Sequence, residues 1–317
     1  MPLLSIVVPA YNEAANLAVL YRRLCDVLRG GDVEWEWIVV DDHSSDATYG
    51  VVAGLATADP RVRAFRLARN SGSHTAILCG LHQARGEAVV VLAADLQDPP
   101  ETIPRLLTEW RQGAQVVWAV RGRREGETRR TVALSRLYYF LMRRVVGIRD
   151  MPATGADFML IDRTVIDALR QFRESNISIM ALITWMGFRQ TSVIYDKQAR
   201  LHGRSGWNLE KKLKLAVDSI TAFTYRPLRW MSYVGAVTAL LGFAYAAVAA
   251  GVALTGGSPR GWSSLMVVIL VIGGIQMLMM GVLGEYLWRA LDEARRRPLY
   301  LVEATTDQQQ GVKGLGG

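Results

Sequence analysis

The chain has 317 residues, 50% of them hydrophobic and 21% charged, so it has room for one ordinary domain and a smaller apolar part. Its 37 lysines and arginines exceed its 29 acidic residues, and the resulting charge of +8 favours anionic partners such as nucleic acid, lipid head groups or phosphorylated substrates. Only Cys25 and Cys79 are present, in no ligand or redox spacing, which excludes a disulfide framework.

The first 120 residues alternate short β-branched runs with helical patterns. Five runs are predicted strands: Ser5–Pro9, Trp35–Asp41, Val62–Leu67, Ala88–Ala93 and Gln115–Val120. Because these strands are almost continuously apolar and are separated by helices, they predict an α/β domain with a mostly parallel sheet covered on both faces. No secretory signal pattern precedes the first strand, so we expect this domain to remain in the cytoplasm.

Polar clusters follow four of the predicted strands, where a parallel sheet gathers its ligands. The clusters are Tyr11 to Glu13, Asp41 to Asp46, Arg69 to Gly72, and Asp95 to Asp98. Their carboxylates can hold a hard divalent cation that bridges a diphosphate, and Asp42 and Asp95 are the prime candidates. The sequence contains neither a G-x-G-x-x-G fingerprint nor a Walker-type loop, which argues against a dinucleotide cofactor or a P-loop nucleotide. The four histidines lack ligand spacing, so none is assigned to a metal.

Two basic amphipathic segments are predicted to lie at the membrane surface. Leu209–Phe223 has apolar residues at a helical period and lysines on its other faces, and Leu137–Val146 combines aromatic residues with arginines. For both segments, a solvated helix face is the alternative interpretation.

Two long stretches without charge, Trp230–Pro259 and Gly261–Gly284, follow. A bilayer core of ~30 Å needs about 20 helical residues, so each stretch is long enough to cross it. We place the spans near 232–254 and 263–287, joined by a turn rich in glycine. The alternative is a hydrophobic hairpin buried in a soluble core, but aromatic residues near the predicted span ends favour the membrane.

Arginines flank the predicted spans on one side. Arg226 and Arg229 precede the first span and Arg295 to Arg297 follow the second, whereas the connecting turn contains Arg260 alone. This positive-inside bias predicts a multi-pass protein of the inner (cytoplasmic) membrane whose N-terminal domain and both termini face the cytoplasm.

Seven motifs occur in the order and spacing of one known family: Ser5 to Glu13, Val40 to Asp46, Ala94 to Glu101, Gly155 to Phe158, Arg200 to Ser205, Gly284 to Tyr286 and Arg297 to Tyr300. They resemble the GT-A-fold family 2 glycosyltransferases. Within that family they are most similar to the polyprenyl-phosphate glycosyltransferases related to dolichol-phosphate mannose synthase and bacterial undecaprenyl-phosphate glucosyltransferases. The resemblance covers nearly the whole chain and implies a Rossmann-like GT-A domain.

For the donor, the resemblance implies a nucleotide sugar bound by strand-end residues and a basic loop: Pro9, Tyr11, Glu13, Val40, Asp42, Ala94, Asp95, Arg200 and Arg204. It also implies a divalent metal, Mg²⁺ or Mn²⁺, held by Asp95 and Gln97, with Asp95 counted as catalytic. Ala93 departs from the family pattern, which often has a second aspartate there, so one anionic ligand is lost. Glu13 also suits a helix dipole, and Asp98 is placed to cap the helix that follows.

For the acceptor, the resemblance implies a polyprenyl phosphate held in the region of Arg121, Arg124, Ser135 and Arg136. Surface arginines are common, so the alternative that these arginines are ordinary solvent-exposed side chains is nearly as strong as a role in phosphate binding. Asp157 has the position usually nominated as catalytic base, yet a phosphate monoester with a second pKa of ~6 is already largely dianionic at neutral pH. We therefore hypothesise that Asp157 chiefly orients the acceptor or the sugar hydroxyls in an inverting displacement.

The resulting hypothesis is transfer of one hexose, from UDP-glucose, to undecaprenyl phosphate at the cytoplasmic membrane face, for a cell-envelope glycan. One alternative is a processive polysaccharide synthase, but Arg226 replaces the glutamine of the Gln-x-x-Arg-Trp element of those enzymes. Another is a non-catalytic lipid-phosphate-binding scaffold, suggested by Ala93. Nucleic acid is disfavoured as a partner because the excess charge gathers around the spans, and a homo-oligomer remains open.

The predicted organisation has four parts. They are a GT-A domain over residues 1–206, a juxtamembrane amphipathic helix over 207–230, two spans within 231–288, and a cytoplasmic tail over 289–317 that is disordered after about 303.

Overall fold

A computed structural model of the protein describes residues 1–122, 158–172, 178–196, 198, 226–254 and 262–307. The chain divides into two compact units, Met1–Ala216 together with Pro298–Gly317, and Val217–Arg297. The predicted amphipathic segments Leu137–Val146 and Leu209–Phe223 lie outside the described residues.

One eight-stranded sheet forms the centre of the first unit. Its strands are β1 (Leu3–Ala10), β2 (Glu34–Asp41), β3 (Val62–Leu67), β4 (Ala88–Val91), β5 (Val116–Arg121), β6 (Met159–Asp162), β7 (Gln190–Tyr195) and β8 (Val302–Thr305). The order across the sheet is β7-β5-β6-β4-β1-β2-β3-β8. The five predicted strands are confirmed, although β4 ends two residues earlier than expected.

The pairing is parallel around β1 and antiparallel where two later strands join the sheet. β1 pairs with β2 and β4, β2 pairs with β3, and β5 pairs with β7, all in parallel. β6 lies antiparallel between β4 and β5, and β8 pairs antiparallel with β3. The predicted mostly parallel α/β sheet is therefore confirmed as a mixed sheet with two antiparallel additions.

Six helices of the first unit are described: α1 (Ala14–Leu28), α2 (Thr48–Ala58), α3 (Ser73–Gln83), α4 (Ile103–Arg111), α5 (Arg163–Leu169) and α6 (Ile179–Trp185). α1 illustrates why they form, because its leucines at 17, 20, 24 and 28 recur at helical spacing and are all buried. Burying each such side chain contributes about 1.5–3 kcal/mol.

The C-terminal tail returns to the sheet as its last strand. Thr306 and Ala64 bond reciprocally, with Ala64 N–H donating to the Thr306 hydroxyl and Thr306 N–H donating to the Ala64 carbonyl. Beyond them, Arg63 bridges Asp307 at 2.5 Å and Glu36 at 2.8 Å, and all three side chains are nearly buried. Order therefore extends past the predicted limit at about residue 303, because strand pairing and a buried ion pair hold the segment through Asp307.

The second unit contains two long helices, α7 (Arg226–Leu254, 29 residues) and α8 (Trp262–Ala294, 33 residues). They touch where Gly235 faces Met279, because a Cβ atom on Gly235 would lie 3.1 Å from the Met279 Cε atom. Many large apolar side chains of both helices are exposed, including Phe243 and Met277. Among the described residues, Val271–Ala294 alone has the length and hydropathy of a membrane span, so the predicted span near 232–254 stays a prediction.

Candidate active site

The carboxyl ends of β4, β1, β2 and β3 lie along one edge of the sheet, because these strands are consecutive neighbours and parallel. All four predicted polar clusters follow these strands. The structure therefore brings the clusters to the same edge, where open α/β sheets bind ligands.

The loop after β1 is bonded to the loop after β2. Asn12 N–H donates to the Ser44 hydroxyl at 2.9 Å, and Ser45 N–H donates to the Asn12 side-chain oxygen at 2.9 Å. Glu13 N–H donates to the Thr48 hydroxyl at 2.9 Å, at the start of α2. Tyr11 lies between the end of β1 and Asn12, and it is 49% exposed. An exposed aromatic ring on an otherwise bonded loop is available to a ligand.

Glu13 precedes α1 directly, as its helix-dipole interpretation requires. Its carboxylate accepts a hydrogen bond from the Asn16 amide at 2.5 Å. Val40, by contrast, is fully buried within β2, so its side chain packs in the sheet core.

Asp42 is buried and holds the loop that follows β3. Its two carboxylate oxygens accept from Ser71 N–H at 2.7 Å and from Gly72 N–H at 2.8 Å. Gly72 has φ of +90°, which glycine adopts readily, and it directly precedes α3. Burial raises the pKa of the Asp42 carboxyl above its ordinary value, although the two N–H groups oppose this shift. The Ser71 and Gly72 bonds fix the carboxylate at the strand end.

Asp95 and Gln97 form a tight turn after β4. Gln97 N–H donates to a carboxylate oxygen of Asp95 at 3.2 Å, and Asp95 is 7% exposed. Leu96 between them is buried and has φ of +62°. The left-handed conformation is costly for leucine, about 1–2 kcal/mol, and such strain concentrates at functional sites.

Asp98 is buried and contacts β7 through a tyrosine. The Tyr195 hydroxyl donates to Asp98 Oδ1 at 2.5 Å, and Ala93 N–H points to Asp98 Oδ2 at 3.4 Å. Burial and the Asp98 carboxylate raise the pKa of the Tyr195 hydroxyl well above its ordinary value. The N-cap position of the short helix at Pro100–Thr102 is Pro99, so the capping role of Asp98 stays a prediction beside its hydrogen bond from Tyr195. Its partner lies 97 positions away along the chain, where sequence spacing gave no signal.

Two further residues join the Asp98–Tyr195 contact. Arg121, at the end of β5, is the register partner of Tyr195 and opposes the rise in the pKa of the Tyr195 hydroxyl. The Phe158 ring packs edge-on against the Tyr195 ring, with 5.5 Å between ring centroids. Arg121 was predicted to bind a lipid phosphate, and Phe158 directly follows the predicted catalytic residue Asp157. The contact therefore links the Asp95 turn to segments predicted to serve the acceptor.

The chain that leaves β7 also returns to the Asp95 turn. Gln198 N–H donates to the Gln97 carbonyl at 2.9 Å, and the Gln198 side chain accepts from Arg23 at 3.1 Å. Besides the predicted catalytic residue, five predicted binding residues lie outside the described part of the chain: Arg124, Ser135, Arg136, Arg200 and Arg204. Asp157 lies outside it as well.

An α/β sheet with carboxylates grouped beyond the carboxyl ends of parallel strands places this protein among the open-sheet α/β domains that bind a ligand at that edge. The chain belongs to the family described as Glycosyl transferase family 2, which matches residues 5–170. Residues 226–289 match a second family, the GtrB C-terminal hairpin. The protein is therefore a glycosyltransferase.

Relatives match almost the whole chain. An uncharacterized glycosyltransferase of Bacillus subtilis (strain 168), YkcC, is 40% identical over 94% of this chain and 93% of its own length. The prophage bactoprenol glucosyl transferase homolog of Escherichia coli (strain K12) is 34% identical over 95% and 98%. The bactoprenol glucosyl transferase of Shigella phage SfV is 35% identical over 95% and 98%. The resemblance to family 2 and to its polyprenyl-phosphate subgroup is confirmed.

A solved structure shares the fold. It is glucosyl-3-phosphoglycerate synthase from Mycobacterium tuberculosis in complex with Mn²⁺, UDP-glucose and phosphoglyceric acid. Its TM-score is 0.51 at 18% identity, and the match covers 69% of this chain and 78% of that one. The two proteins are thus alike in having the GT-A fold.

Proposed function

We propose that the protein transfers a single glucose residue from UDP-glucose to a polyprenyl phosphate, undecaprenyl phosphate, at the cytoplasmic face of the inner membrane. The observation that carries this proposal is the match along 95% of the chain to bactoprenol glucosyl transferases, hairpin included. A hairpin retained with the catalytic domain suits an acceptor whose lipid tail stays in the bilayer.

The strand-end cluster is the proposed donor site. Asp42 is held in place by two backbone N–H groups, and carboxylates in such positions accept hydrogen bonds from ribose or base hydroxyl and N–H groups. Tyr11 offers an exposed ring on the neighbouring loop. Pro9, Glu13 and Ala94 complete the described part of this site, and Arg200 and Arg204 would grip the diphosphate from the basic loop.

Asp95 and Gln97 would hold a divalent metal, Mg²⁺ or Mn²⁺. A carboxylate and an amide oxygen are hard ligands of the type these ions prefer. No group of three or more acidic, histidine or cysteine side chains within the described ranges could enclose a metal. Two protein ligands nevertheless fit an ion that takes its other ligands from water and a substrate diphosphate, as Mg²⁺ commonly does. When bound, the ion would neutralise charge on the departing nucleotide.

The acceptor phosphate would be held by Arg121, Arg124, Ser135 and Arg136. At neutral pH it is largely dianionic and needs little activation by a base. Asp157 is proposed to orient the acceptor or the sugar hydroxyls, so that the phosphate oxygen displaces the nucleotide in one inverting step. Both helices of the hairpin are proposed to cross the bilayer, with both termini in the cytoplasm.

The test is transfer by the purified full-length protein in lipid nanodiscs that contain undecaprenyl phosphate. With radiolabelled UDP-glucose and Mn²⁺ or Mg²⁺, we expect one labelled lipid that carries a single glucose. Asp95→Asn should lower its formation roughly 100-fold, a typical loss for one group that stabilises developing charge. Asp32→Asn, in an exposed pair with Arg111, is the matched control and should be active. A polymeric product, or no lipid product with any nucleotide sugar, would refute the proposal.

A further inference from the structure

Arg66 connects three segments of the donor edge. It lies near the end of β3, and each of its side-chain nitrogens has a different partner. Its Nε lies 3.2 Å from a Glu303 carboxylate oxygen, Nη1 lies 3.1 Å from Asp41, and Nη2 donates to the Ser44 carbonyl at 3.1 Å. One planar guanidinium thus bonds the C-terminal strand to both ends of the turn that contains Asp42.

The bonds that Arg66 makes continue into the donor site. Ser44 N–H donates to the second carboxylate oxygen of Asp41 at 3.0 Å, which closes the turn around Asp42 and His43. The Ser44 hydroxyl accepts from Asn12 N–H, next to Tyr11. His43 has φ of +59°, so the turn is held in a sparsely populated backbone conformation. Arg66 is therefore placed to maintain the shape of this turn.

Glu303 belongs to β8 and reaches Arg66 because β8 pairs with β3. Ala304 is the register partner of Arg66 in that pairing. The Glu303 carboxylate also lies 3.4 Å from His43 Nδ1, which itself lies 3.0 Å from the Leu67 carbonyl. Glu303 thus contacts the turn both directly, at His43, and through Arg66.

We propose that Glu303 and Arg66 are positioning residues for the nucleoside diphosphate sugar, so that the C-terminal strand is a working part of the donor site. Glu303 orients Arg66, and Arg66 holds the turn from Asp41 to Ser44 in the conformation that presents Asp42. This inference rests on the proposed function.

Asp307 provides the matched control, because it anchors the same strand far from the donor turn. It bonds Arg63 at 2.5 Å and Arg85 at 2.9 Å, and Arg63 bonds in turn to Glu36 and to the Gln83 carbonyl. Glu303→Ala removes the contact to Arg66, Glu303→Gln keeps an oxygen that accepts from Nε, and Asp307→Asn weakens the anchor alone. All three variants are compared with wild type as full-length proteins in nanodiscs.

We expect Glu303→Ala to raise the KM for UDP-glucose about two- to fivefold, the range for loss of a half-exposed ion pair, with kcat within about twofold of wild type. Glu303→Gln should raise KM less. Asp307→Asn should lower the thermal unfolding midpoint and leave this KM unchanged. The inference would be overturned if Glu303→Ala left the KM for UDP-glucose unchanged, or if Asp307→Asn raised it equally. In either case, normal glucose transfer by the wild-type protein would still support the proposed function. Absence of wild-type transfer with any donor would overturn both.

Discussion

Replacing Tyr195 by phenylalanine removes one hydroxyl group from the buried contact between β7 and the Asp95 turn. The lost bond, 2.5 Å long, is donated to the buried carboxylate of Asp98. A hydrogen bond to a charged group contributes about 1.5–3 kcal/mol to the free energy of unfolding. For a domain of this size, that loss lowers the unfolding midpoint by about 3–12 °C.

The same substitution should change the response of the enzyme to metal. Asp98 lies one residue beyond Gln97 and closes the turn that is proposed to hold the ion. Without the Tyr195 hydroxyl, Asp98 is held less firmly, so the metal concentration that gives half-maximal transfer should rise. Tyr21→Phe is the matched control, because the Tyr21 hydroxyl donates to Asp59 at 2.6 Å, away from the donor edge. It removes the same kind of bond.

The assay measures glucose transfer against Mn²⁺ concentration for wild type, Tyr195→Phe and Tyr21→Phe, with unfolding followed in parallel by intrinsic tryptophan fluorescence. We expect both variants to be less stable and Tyr195→Phe alone to need more metal. If both variants need the same metal concentration as wild type, the role assigned to the Asp98–Tyr195 contact is wrong.

Two other predictions concern groups outside the site. The Arg61 guanidinium lowers the pKa of Asp59 to about 2. This pair should therefore stabilise the protein above the ordinary carboxyl pKa and lose that effect as pH falls through about 2. The thermal unfolding midpoint measured between pH 5 and pH 2 should fall less steeply for Asp59→Asn than for wild type. Burial raises the pKa of the Cys79 thiol to about 12. In a Cys25→Ser variant, which leaves Cys79 as the single thiol, a maleimide at pH 8 should react with Cys79 only after the protein unfolds. Rapid labelling of the folded protein would contradict this.

Much of the donor edge could be predicted from the sequence because its signals are local. A run of apolar, β-branched residues identifies a strand, and the polar residues that follow it mark the strand's end. Since parallel strands end at one edge, the clusters that contain Asp42 and Asp95 could be expected there before any coordinates were known. Their roles in binding stay predictions.

Contacts between distant segments could not be predicted in this way. The neighbours of Asp98 along the chain suggested a helix cap, but they carried no sign of the hydrogen bond that Asp98 accepts from Tyr195 on another strand. β6 gave no sign that it would enter the sheet antiparallel between β4 and β5. The reason is that local propensity selects a strand but leaves its neighbours to packing and backbone pairing.

By itself, the sequence determined the alternation of strands and helices, the family, and the two apolar stretches near the C-terminus, because hydrophobic period and motif order are properties of the chain alone. Only the tertiary structure decided where the last strand goes. The segment from Val302 to Thr305 is only four residues long. Its pairing with β3, the Glu303–Arg66 ion pair and the Asp307–Arg63 ion pair just beyond it depend on residues about 240 positions earlier. Such pairing places Glu303 beside the donor turn.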